Sequence, residues 1–164
     1  MALIDVGLAA IDRASIWQNP TYTLINKDNS ADGTGTLTSV EIWANVTTTG
    51  TVVATFFGSS TTYTSRAGTT IGAVTAGSKQ TFSGLSIPVE TGDLIGMYVG
   101  SAGKMEMGTA GTTGMYYKSG NNITEAEVSG YTDYSYGFSL YGTGATAAAG
   151  GRNPATIFGN YAMV

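Results

Sequence analysis

The chain has 164 residues, of which 11% are charged, 42% hydrophobic and 24 Gly, with no Cys and no His. The absence of thiols and imidazoles excludes disulfide stapling, the usual Cys/His zinc sites and every catalytic arrangement that needs an imidazole base or a thiolate. Seven Lys plus Arg against eleven Asp plus Glu give a net charge of −4. No window carries the basic stripe that releases counterions from phosphates, so nucleic acid is not an expected partner.

The first ten residues lack a basic n-region, and Asp5 interrupts their apolar run, so they do not resemble a secretory signal. Apolar stretches elsewhere fall far short of the roughly 18 residues that span a bilayer, and a membrane is not an expected partner either. Further along, period-2 alternation dominates and helical periodicity is absent. Asp28-Asn29-Ser30-Ala31-Asp32-Gly33 places oxygen-bearing side chains at alternate positions before a Gly, as the start of a calcium loop does. The bidentate Glu such a loop needs six residues after that Gly falls on Ser39 instead. Asp28 and Asp32 are thus weak calcium candidates, and a polar turn satisfying its own backbone is the alternative.

Val40, Ile42 and Ala44 alternate with Ser39, Glu41 and Trp43, and Val53, Thr55 and Phe57 oppose Val52, Ala54 and Phe56. Ile87 and Val89 precede a Gly92-Asp93 turn, after which Leu94 to Val99 form another apolar run. Thr124 to Val128 has room for a single helical turn. Tyr134, Tyr136, Phe138 and Leu140 share one face. Thr, at 26 positions, suits a pleated half-exposed surface. Gly- and Asn-containing joints punctuate these runs, as in a sandwich or barrel. The expected fold is all-β: a two-sheet antiparallel β-sandwich, jelly-roll-like, over residues 1–144. Residues 145–164 are expected to be a C-terminal extension, because Gly142 to Gly151 (GTGATAAAGG) has the composition of a flexible linker. Beyond it a tail that starts at Arg152 regains Ile157, Phe158, Tyr161 and Met163, and its apolar side chains call for a docking surface, on this sandwich or on a neighbouring subunit; these five residues are the expected assembly interface.

Catalytic signals are sparse. Glu125 with Glu127, or Glu90 with Asp93, are the pairs a glycosidase would draw on, but each sits in or beside an expected turn. Neither a Gly-Lys-Ser/Thr phosphate cradle nor a Ser-x-x-Lys motif occurs, so no cofactor and no enzymatic activity are expected. Trp43, on the polar face of its strand, and Tyr131, in a Tyr-rich third of the chain, are candidates for stacking on sugar rings.

The stretches Asp12-Arg13-Ala14, Tyr22 to Asn29, Gly35 to Ala44, Val74 to Phe82 and Ile87 to Gly96 resemble β-sandwich proteins encoded in the structural regions of tailed phages and prophages. The resemblance covers about residues 8–144. It implies a virion accessory protein of head-decoration or fibre type, made in the host cytoplasm and carried in the particle. The partners it implies are other copies of the chain and the major capsid or other virion proteins. A carbohydrate-binding adhesion module of a fibre or surface appendage is the alternative.

Overall fold

The computed structural model describes residues 1–148, and these contain fourteen β-strands and no helix. Eight strands carry the architecture: β1 (Leu3–Gly7), β3 (Tyr22–Asn26), β4 (Gly35–Val46), β5 (Thr48–Ser59), β6 (Thr62–Val74), β7 (Lys79–Val89), β8 (Leu94–Tyr98) and β14 (Leu140–Thr146). One sheet runs β1-β14-β4-β7 and the other β3-β8-β5-β6, all pairings antiparallel. Only the β5–β6 hairpin connects neighbours within a sheet. Each other step between these eight strands passes from one sheet to the other, which is the wiring of a jelly roll.

The alternation expected from sequence positions the core. Val40, Ile42 and Ala44 of β4 are fully buried between the sheets, with Val53, Ile95, Met97 and Leu24 facing them. Asn26 sits among these apolar side chains at 0% exposure, and it is satisfied from across the sandwich. Its Nδ2 donates to Phe138 O and Leu140 O at 3.1 and 3.2 Å, while its Oδ1 accepts from the Phe138 N–H at 3.2 Å. The amide is a polar tie between the two sheets, in place of the water a lone buried amide would need.

The remaining strands elaborate this frame. β2 (Ser15–Trp17) and β13 (Gly137–Phe138) flank β9 (Lys104–Gly108), which pairs with the last residues of β4. β10 (Met115–Ser119) and β12 (Thr132–Tyr134) extend the second sheet beyond β3, while β11 (Glu127–Val128) pairs with β6 at its far side. The chain between β10 and β12 therefore crosses the outer face of that sheet. It closes a second core in which Ile25, Ala54, Phe56, Tyr63 and Tyr131 are buried, with Ile123 and Val128 against them. Thr124–Val128 is not a helical turn, because β-pairing of Glu127 and Val128 with Thr64 and Tyr63 claims its backbone groups.

The expected domain boundary at 144 also moves. Residues 142–146 are strand, not linker, paired to β1 and to β4 out to Thr146. Their glycines reflect crowding rather than flexibility: a Cβ on Gly142 would stand 2.8 Å from Ile95 Cδ1 and 3.1 Å from Val6 Cγ1. The expected assembly-interface residues Arg152, Ile157, Phe158, Tyr161 and Met163 lie outside the described residues.

Candidate functional site

The carboxylates singled out from sequence are held in structural bonds. Asp28 Oδ1 accepts from the Thr113 N–H at 2.7 Å, and Oδ2 accepts from the Thr112 hydroxyl and from the Gly114 N–H at 3.3 Å. Burial pushes its pKa upward, but these hydrogen bonds outweigh burial and leave the carboxyl below its usual range. Asp32 turns the other way, its Oδ1 accepting from the Asp5 N–H, while Asn29 O accepts from the Gly7 N–H. The 28–33 loop is thus a polar turn that caps the outer edge of β1, a position where open strand groups invite unwanted pairing. Asp28 and Asp32 do not converge, and among the described residues no group of three or more Asp or Glu is arranged to hold a metal ion.

Glu90 and Asp93 both bind Arg66. Its Nε and Nη2 donate to Asp93 at 2.7 and 3.0 Å, and its Nη1 donates to Glu90 at 2.9 Å. This forked ion pair holds the β7–β8 turn against β6, and the carboxylates raise the Arg66 pKa. Glu125 and Glu127 are both exposed on the crossing segment.

Of the two aromatic candidates, Tyr131 is corrected by the structure. It is 2% exposed inside the second core, edge-on to Tyr63 at 5.8 Å, and neither ring face can receive a sugar. Its hydroxyl has no hydrogen-bond partner among the described residues, and burial pushes its pKa up to about 12. Trp43 is half-buried on the outer face of the first sheet, opposite Lys79 in register. It lies on the other side of the sandwich from Tyr131, so the two do not form one platform.

That outer face differs from its counterpart. Residues 11–13 cover it only at its Ser139 end, and Leu3, Thr36, Glu41, Trp43, Thr81 and Pro88 are half-buried or exposed along it, whereas the second sheet is roofed by residues 120–131. The β-registers set Leu3, Ala145, Thr36 and Pro88 in one row across it, and Tyr141, Glu41 and Thr81 in another. Leu3 is 85% exposed there. Burial, then Asp5 hydrogen bonding and the charges of Asp5, Glu41 and Asp32, raise the Tyr141 pKa, and Lys79 pairs with Glu41 at 3.0 Å beside it.

A shallow cleft of about 260 Å³ opens elsewhere, between residues 11–15 and 108–110, with Arg13 and Tyr136 in its wall. Nothing in the sequence links these two residues, since only the pairing of β2 and β13 with β9 brings their segments together. Among the described residues no helix is long and apolar enough to cross a membrane. Comparison with protein-family models, with curated proteins and with solved structures finds no match.

Proposed function

We propose that this chain is a non-enzymatic structural protein of a virion, a decoration subunit that coats or reinforces the capsid. The observation that carries this reading is the asymmetry of the sandwich. One outer face is closed by its own crossing segment, and the other, covered by residues 11–13 only at its Ser139 end, is left open across β1, β14, β4 and β7. The chain continues from the end of β14 into a segment rich in apolar side chains, Ile157, Phe158, Tyr161, Met163 and Val164, suited to contact with a neighbouring subunit. The long polar interactions (Arg66 with Asp93 and Glu90, Asn26 with Phe138 and Leu140) join strands of the frame rather than converge on a reaction centre.

Truncation after Ala148 tests it, since every described strand is retained. The shortened chain is expected to fold with an unchanged β-sheet circular dichroism spectrum and to lose co-sedimentation with particles. Undiminished co-sedimentation would remove the tail as the attachment element. Glycan binding is the second reading, favoured by the half-exposed indole of Trp43 on the open face. A glycan array that gives no signal, or a signal unchanged by Trp43→Ala, counts against that residue's part in it.

A further inference from the structure

The cleft beside Arg13 has a composition that the coat role does not use. Tyr136 lines it, and one face of its ring is covered by Tyr134, with centroids 5.0 Å apart and planes inclined by 18°. A third planar or flat-faced group entering from the cleft would continue this stack. Arg13 lines the same space and is fixed from behind: its Nε donates to Ser139 Oγ at 2.9 Å and its Nη2 to Ala9 O at 2.9 Å. Two of its five N–H groups are thereby engaged.

Four ion pairs join described residues, and Arg13 is in none of them. The contrast with Arg66, gripped by two carboxylates, is direct. Asp28 acts on Arg13 only through its charge, and burial lowers the guanidinium's pKa. Glu106 accepts only from the Arg13 backbone N–H, so among the described residues the remaining guanidinium N–H groups have no carboxylate hydrogen-bonded to them, and an incoming anion can take them. Around it stand the exposed Asp12 and Thr109 and the half-buried Ser15, all polar groups suited to hydroxyls.

We propose that this cleft binds a single carboxylate-bearing pyranose, such as a uronic or sialic acid unit, with its ring against Tyr136 and its carboxylate on Arg13. Asp12, Ser15 and Thr109 then take its hydroxyls. A phosphate is the poorer fit, because its double negative charge would face Asp12 with one guanidinium to balance it. A neutral sugar would leave Arg13 without an anion. This inference stands apart from the coat role: a decoration subunit can carry the site or lack it.

The test is saturation-transfer NMR and titration calorimetry on the full chain with methyl glucuronoside, the methyl glycoside of N-acetylneuraminic acid, and neutral methyl glucoside. At least one carboxylated sugar is expected to bind about tenfold or more tighter than methyl glucoside, and comparing the two acidic probes identifies which acid is preferred. Tyr136→Ala is expected to weaken that binding about tenfold, and Ala110→Trp, which puts a large ring into the cleft, to abolish it. Circular dichroism verifies that both variants remain folded. Absence of binding by both acidic sugars, equal binding of methyl glucoside, or binding unchanged in both folded variants would overturn the proposal.

Discussion

Removing the Asn26 side chain tests whether the two sheets are tied by a buried amide. Asn26→Ala deletes three hydrogen bonds to Phe138 and Leu140 and opens a cavity between fully buried neighbours. Leu140 O keeps the Leu8 N–H as a donor at 2.8 Å, but the Phe138 N–H loses its acceptor in the interior. At about 1 kcal/mol net per bond, plus roughly 1 to 2 kcal/mol for the orphaned donor and the cavity, the expected loss is about 4 kcal/mol. That is a large share of the roughly 5–15 kcal/mol that stabilises an ordinary domain. Asn26→Leu restores most of the volume and none of the bonds, so it separates the two contributions and should cost about 3 kcal/mol. Urea unfolding followed by tryptophan fluorescence measures both, Trp17 being 5% exposed in the core. Losses below about 1 kcal/mol in both variants would refute the assignment of Asn26 as an inter-sheet tie.

Three further perturbations probe other polar groups. Tyr131→Phe removes a buried hydroxyl without a protein partner and is expected to raise stability by about 1 kcal/mol in thermal or urea unfolding. The folded phenol titrates at about 12, above its unfolded value, so it keeps a proton that the unfolded chain releases. Stability should therefore fall as pH rises from about 10 toward 12, and less steeply in Tyr131→Phe. Arg66→Met leaves Asp93, 3% exposed, without its guanidinium, and an expected loss of about 2–4 kcal/mol should shrink in Arg66→Met/Asp93→Asn. Asp28 is depressed in the folded state, so its contribution is present above about pH 4 and vanishes as pH falls through its folded value. Asp28→Asn should cost about 1–2 kcal/mol at neutral pH, after allowance for its partial exposure, and flatten the acid limb of the stability profile.

Much of the frame was legible because burial on one face leaves a period of two. Val40, Ile42 and Ala44 announce the inner face of β4, and Gly92-Asp93 the corner between β7 and β8. Partnering was less legible, since β1 pairs with β14 across most of the chain and β3 with β8 across nearly half of it. Glycine misleads where it serves crowding: Gly142 and Gly144 have linker composition yet lie buried in β14. Tyr131 has the look of a surface aromatic because nothing near it in sequence announces the crossing segment that buries it. The loop from Asp28 to Asp32 carries ligand-like spacing, but its two carboxylates turn to opposite neighbours, Thr113 and Asp5. Arg13 and Tyr136 illustrate the same limit from the other side, a cleft assembled from segments with no shared local motif.

The coat assignment is tested most directly by quantitative peptide mass spectrometry on purified particles from a host that carries this gene. The account predicts the chain on intact particles at a fixed, many-copy ratio to the major shell protein. Particles that contain none of it, from a lysate in which the chain is abundant and soluble, would contradict the account.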